Sequence, residues 1–281
     1  MRVSFQRKIM ACCMAAFGLI SSFGGMAFPE PAIHWEEADA GLFVAEFEYV
    51  FNNDPYAITL IKIDPGQYSF ELLCATQYGK QSYSTKEWAL KHQMLAAVNA
   101  GMFQQNGLTS VGFMKNFDHV NNPRLSSANA VLAFNPVEKN IPEIQIIDRE
   151  CQNFDELRHK YQSFVQSIRM ISCDGQNVWR KLDSKWSTLA LGMDNQGNIL
   201  FLFSRTPNSV HDFIEVLMSL PLSLKSAMYL EGGPQASLYL STPKMTLQRD
   251  GAWGNLEENS LQFSLPVPNV IGIYKKPRAK T

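Results

Sequence analysis

Phe43, Ala45, Phe47, Tyr49 and Phe51 alternate with Val44, Glu46, Glu48 and Val50, the two-residue period of a half-buried strand. Tyr56 to Ile63 and Tyr68 to Ala75 read as two more strands around Asp64-Pro65-Gly66, whose residues favour a turn. The opening therefore predicts a β-meander. Ser84-Thr85-Lys86-Glu87 has the Ser-x-x-Glu spacing of a capping box, in which serine and glutamate satisfy orphan helix N–H groups, and a helix follows through His92. Leu95 to Val98 then runs apolar into Asn99. Up to Pro123 the chain is rich in Asn, Gly, Ser and Pro, which predicts long loops of the kind that often bind ligands. Ala128 to Phe134 and Ile144 to Ile147 read as strands, and Asn153 is placed to cap a further helix.

The second half alternates in type. Ile199 to Phe203 is continuously apolar, as expected of a strand buried on both faces. Val210, Phe213, Ile214 and Leu217 follow the i, i+3, i+4, i+7 stripe of an amphipathic helix, with Asn208 or Ser209 as its cap. His211, Asp212, Glu215 and Ser219 fall on its polar side. Beyond Pro221, Lys225 to Leu230 returns as a strand that ends at Glu231. A strand–helix–strand connection of this length fits a crossover between two strands of one sheet. The expected fold class is α+β: a single mixed domain over residues 28–281 with a central β-sheet flanked by helices.

Residues 1–27 alter that picture at one end. Arg2, Arg7 and Lys8 precede an apolar stretch from Ile9 to Phe23, and Gly25-Met26-Ala27 offers small residues at a cleavage site. The pattern is a signal peptide, so a periplasmic or secreted protein is expected, with no stable membrane insertion after cleavage. Hydrophobic content of 46% and a net charge of −1 are ordinary for a globular chain, and no basic excess argues for nucleic acid. With Cys12 and Cys13 lost with the signal, Cys74, Cys151 and Cys173 remain, an odd number that permits at most one bridge. Cys151 and Cys173 are the closest pair, although three buried free thiols is the preferred reading. No Cys-x-x-Cys, His-Glu-x-x-His or EF-hand spacing is present, so neither a metal nor a cofactor is expected.

Candidate chemistry concentrates in two stretches of similar design. Tyr229-Leu230-Glu231-Gly232-Gly233-Pro234 ends an apolar run with a carboxylate and two glycines, which let the backbone turn sharply and a ligand approach closely. Val98-Asn99-Ala100-Gly101-Met102-Phe103 likewise puts a polar side chain at a strand end with glycine two residues on. Asn-Ala-Gly-Met-Phe and Glu231-Gly232-Gly233 resemble the Asn-Gly/Ala-Gly-Phe/Tyr-Phe and Asp-Gly-Gly-Gly motifs of the phosphodiester glycosidase family. Gln166 to Ile171, Trp186 to Asp194 and Ser204-Arg205 to Phe213 fall between them in family order. The resemblance runs from roughly Phe43 to Tyr274 and is strongest to a bacterial periplasmic branch carrying Glu-Gly-Gly-Pro. Glu231 and Pro234 depart from the family's aspartate and third glycine, and Thr188 or a neighbour stands where an arginine is often found.

The resemblance implies cleavage of a sugar–phosphate diester. That chemistry needs a carboxylate at the anomeric centre, a route for the proton, and fixed donors for the phosphate oxygens. Glu231 is the candidate carboxylate, with His211 as proton shuttle or phosphate ligand. Arg169 and Arg205 are candidate phosphate clamps; Asn99 and Gln166 are candidates for sugar or phosphate oxygens. Gly101, Phe103, Ser187, Gly232 and Gly233 complete the expected substrate-binding set. Asp212 and Asp118 are the options for a second carboxylate, and Asp118-His119 is a weaker catalytic pair. A non-catalytic periplasmic protein that binds a glycan or phospho-glycan in the same cleft is the alternative reading.

Overall fold

The computed structural model describes residues 33–253 and 264–277. The signal-peptide reading of residues 1–27 lies outside them. In chain order, β1 (Glu36–Asp39), β2 (Leu42–Phe51), β3 (Asp54–Ile63) and β4 (Tyr68–Cys74) precede α1 (Thr85–His92) and β5 (Ala96–Asn99). Next come β6 (Met114–Asn116), β7 (His119–Asn122), β8 (Ala130–Pro136), β9 (Ile144–Asp148) and the single turn α2 (Phe154–Leu157). Then β10 (Tyr161–Ser167), β11 (Arg169–Ile171), β12 (Trp186–Asp194) and β13 (Ile199–Asn208) lead to α3 (Val210–Ser219). The chain closes with β14 (Leu224–Gly232), β15 (Ser237–Ser241), β16 (Thr246–Asp250) and β17 (Asn269–Lys275).

These strands form three sheets, ordered β1-β2-β3-β13-β12-β14-β11, β7-β6-β10-β8-β9 and β16-β15-β5-β17-β4. One core joins the three inner faces, with Phe201, Phe203 and Leu230 from the first, Leu132 and Val165 from the second, and Val98, Leu238 and Ile271 from the third. Each outer face carries one helix. Phe213 and Leu217 of α3 cover the first sheet, Phe154 of α2 the second, and Trp88 of α1 the third.

The expected α+β domain with helices around one central sheet is therefore wrong. The molecule is mostly β, and sheets supply most of the cover that helices were expected to give. The continuous apolar run Ile199 to Phe203 shows why: Phe201 faces the shared core while Leu200 and Leu202 face α3, so both faces are buried without a helix on each. The meander is also corrected. β2 and β3 form a hairpin, but β4 leaves to pair with β17 in another sheet. The loop-rich stretch before Pro123 contains β6 and β7, with Asp118-His119 at the tight turn between them.

Local signals fare better. Ser84 and Glu87 exchange both bonds of the capping box. β13 and β14 share one sheet through α3, with β12 inserted between them. Ser209 occupies the N-cap of α3 but makes no side-chain cap bond, because the cap there is supplied by neither candidate: Asn208 donates instead to the Pro55 carbonyl. Cys151 and Cys173 are joined in a disulfide, leaving Cys74 as a buried free thiol, which overturns the reading of three free thiols. Among the described residues no helix is long and apolar enough to cross a membrane.

Candidate active site

An irregularity in its own strand aims Glu231. In the β12–β14 ladder Leu189 pairs with Glu231 and Ala190 with Tyr229, so Leu230 is an extra residue. Such a bulge bends the strand and redirects the side chains around it. Leu230 stays in the shared core and Tyr229 packs on the α3 side, while Glu231 meets Asn99 at the end of β5, in a different sheet.

Asn99 is fully buried and rigidly held. Its Nδ2 donates to the Gln235 carbonyl at 3.0 Å and to Glu231 Oε2 at 3.5 Å. Its Oδ1 accepts from the Gly101 N–H at 3.0 Å. Glu231 Oε1 accepts from the Gly232 N–H at 3.0 Å. Burial disfavours the charged form, and the Gly232 and Asn99 donors offset it only in part, so the Glu231 pKa is raised to about 7. Near neutral pH the group is divided between acid and base, the condition in which a carboxyl transfers protons most effectively.

Aromatic rings enclose the turn after it. A Cβ at Gly232 would lie 2.1 Å from Tyr229 Oη and 2.4 Å from Trp186 Cδ1. At Gly233, whose φ of +63° already disfavours a side chain, a Cβ would lie 2.6 Å from the Trp253 ring. The Tyr229 and Trp179 ring centroids are 5.1 Å apart, and those of Trp186 and Trp253 6.4 Å. Burial, with Glu231's charge second, pushes the Tyr229 hydroxyl well above its ordinary pKa. Sequence reading missed this aromatic wall. The signal available was Tyr229, two residues before Glu231, and Trp186, which opens the Trp186-Ser187-Thr188 stretch.

Other expected site residues have their polar groups committed elsewhere. Gln166 Oε1 accepts from the Phe113 and Ser126 N–H groups, each at 2.9 Å, and its Nε2 donates to the Ser126 and Ala128 carbonyls. It fastens two loops. Arg169 Nη1 donates to both Asp148 oxygens at 2.9 and 2.8 Å, and Nη2 to Glu150 at 2.6 Å, so its fork is filled by protein carboxylates. Ser187 Oγ donates to the Arg205 carbonyl and accepts from the Ala252 N–H, which ties β13 to the segment beside Trp253. Phe103 bridges to Ser110 in a turn.

His211 bonds to Asp212 at 3.2 Å, and no hydrogen bond or ion pair among the described residues joins it to Glu231. His119 instead meets Thr76 at 2.9 Å, and Asp118 is exposed. Arg205 is the arginine left over. It makes no ion pair among the described residues and lines a cavity of about 430 Å³ with Glu46, Thr59 and Arg249, which does not include Glu231.

No curated protein sequence matches the chain. Among solved structures it is similar to a hypothetical protein from Synechocystis, with a TM-score of 0.60, 14% identity and 88% of this chain covered. The chain spans 64% of that protein's length. It is similar also to the catalytic domain of zebrafish N-acetylglucosamine-1-phosphodiester alpha-N-acetylglucosaminidase, auto-inhibited by its pro-peptide. There the TM-score is 0.61 and the identity 10%, with 88% of this chain and 85% of that one covered. At such identities the likeness is one of fold. The family profile for phosphodiester glycosidases matches residues 92–274, a span that holds Asn99, the bulge at Leu230 and Glu231. The chain belongs to the phosphodiester glycosidase family.

Proposed function

We propose that the protein is an exported hydrolase that cleaves a glycosyl phosphodiester in envelope or extracellular glycans, with Glu231 as its essential carboxylate. Family membership supports action on phosphodiester-linked sugars. The observation that carries the residue assignment is a buried carboxyl held between Asn99 and the Gly232 amide with its pKa raised to about 7. A carboxyl perturbed by burial in this way is a candidate functional group.

In this reading ionised Glu231 takes a proton from water as its oxygen bonds to the anomeric carbon. The bond from that carbon to the phosphate oxygen breaks, and the phosphate monoester leaves with the electron pair. The proton on Glu231 then passes to the departing phosphate or to solvent. Phosphate leaves easily, so a second carboxyl is needed less than for an alkyl glycoside. Asn99 orients the carboxylate, while Arg169 keeps its guanidinium on Asp148 and Glu150.

The test is release of sugar from a panel of glycosyl phosphodiesters, led by N-acetylglucosaminyl esters because the zebrafish neighbour is named for that sugar. Glu231→Gln is expected to lower turnover by about 10²-fold or more, equivalent to ~2.7 kcal/mol of barrier. Full activity in that variant would overturn the assignment, and binding without release by the wild type would favour the glycan-binding alternative. Export is tested separately: the mature chain is expected to begin near Phe28, and an intact Met1 in the membrane fraction would contradict cleavage.

A further inference from the structure

Where the shared core ends, the inner face of the first sheet changes character row by row. Val44, Ile61 and Phe201 pair across β2, β3 and β13 as core residues. The next row is Glu46, Thr59 and Phe203. In the row beyond, Glu48 stands opposite Ala57. Arg205 follows Ser204, which pairs with Ile58, and so falls on the other side of Ala57. The cavity of about 430 Å³ opens here, and Arg249 of β16 closes it from the third sheet, two residues beyond the core residue Leu247. On β12, between Arg205 and Glu231, Ser187 is covered by the Gly251-Ala252 backbone, which accounts for a cavity that excludes Glu231.

The charged side chains that line it are not equally committed. Arg249 Nε and Nη2 donate to Glu46 Oε1 at 2.9 and 2.5 Å, and Thr59 Oγ1 donates to the same oxygen at 2.8 Å. That pair is compensated. Arg205 and Glu48 are different: among the described residues neither side chain makes a hydrogen bond or ion pair, with the other or with any third group. β3 lies between their strands, so their backbones are about 10 Å apart, with only the Ala57 methyl on the floor between them. Two opposite charges thus share one cavity without meeting. A guanidinium fork matches a carboxylate or phosphate, and a carboxylate accepts from an ammonium. The volume falls within the range of small-molecule sites.

We propose that this cavity binds a small zwitterion, with the ligand's acidic group on Arg205, its ammonium on Glu48 and its connecting carbons over Ala57. The site is separate from Glu231 and does not depend on the hydrolase reading. A ligand with one charge would satisfy one of the two groups and leave the other as it is.

The experiment is calorimetric titration of the full-length protein with 4-aminobutanoate and with 2-aminoethyl phosphate. Butanoate, inorganic phosphate and butylamine serve as single-charge controls. At least one zwitterion is expected to bind saturably, about tenfold or more tighter than each control, and the better of the two identifies the acidic group. Arg205→Met and Glu48→Gln should each weaken it by about tenfold while Tm holds, because neither side chain has a partner to lose. Ala57→Leu raises the floor between the two charges and is expected to abolish binding. Absence of saturable binding by both zwitterions would overturn the proposal. So would controls that bind as tightly as the zwitterions, or unaltered affinity in Glu48→Gln, since either result would make the cavity a plain anion site.

Discussion

Glu231 and Arg169 lie on paired strands of one sheet, and both interrupt an apolar run, yet their environments differ in kind. Arg169 pairs across β11 and β14 with Met228, and its guanidinium is filled by Asp148 and Glu150. Glu231 is also buried, but among the described residues it has an amide at 3.5 Å, one backbone N–H and no cation. One polar group is fully compensated and the other is not. Compensated burial makes a brace, and burial without a counter-charge leaves a group whose protonation answers to small changes around it. The difference separates an ion-paired residue from an uncompensated carboxyl where sequence treats the two alike.

The largest effect should come from breaking the brace. Arg169→Met leaves the buried Asp148 carboxylate without its partner and is expected to cost about 3 kcal/mol or more of stability, read by denaturant unfolding. Turnover per folded molecule should change little. If stability holds and KM rises instead, Arg169 is a substrate clamp after all and the comparison fails.

Glu231→Gln should act in the opposite direction on stability. The folded pKa of about 7 lies above the unfolded value, so between about pH 4.5 and 7 the unfolded chain releases a proton that the folded chain keeps. The stability tied to that proton is full at low pH and is lost as pH rises through the folded pKa. Glutamine is free of this loss. The variant is expected to be more stable than wild type at pH 8, by on the order of 2–3 kcal/mol, with the gap closing near pH 4. A gap independent of pH would mean that the carboxyl is ordinary.

How far the sequence foretold this contrast depends on the range of the contact. The Ser84–Glu87 box, the β2–β3 hairpin and the stripe on α3 are local patterns and were legible. The approach of Asn99 to Glu231 was legible too, through the shared design of two strand ends. The bulge at Leu230 was not, because an extra residue in a ladder shows only when the partner strand is known. Arg169 looked like a clamp because its acids come from β9 and the turn after it, about twenty residues away in sequence and in another sheet. Gln166 misled for the same reason, since its four bonds go to backbone of two separate loops. The three-sheet architecture escaped because an apolar strand reads the same whether a helix or a second sheet covers it.

A smaller effect sharpens the same point. The Asn99 amide favours the ionised form of Glu231, so Asn99→Ala should raise the Glu231 pKa further and move any activity that needs the carboxylate to higher pH. A shift to lower pH, read in the rate profile, would show that Asn99 does not act on the carboxyl.

The most direct test is the dependence of kcat/KM on pH for a confirmed glycosyl phosphodiester. Wild type is expected to gain activity as pH rises, with its half-point near 7 where Glu231 loses its proton, and Glu231→Gln should lose that limb together with at least ~99% of the rate. A profile flat from pH 5 to 8, or a Glu231→Gln variant that keeps the wild-type limb, would contradict the assignment of Glu231 as the working carboxylate.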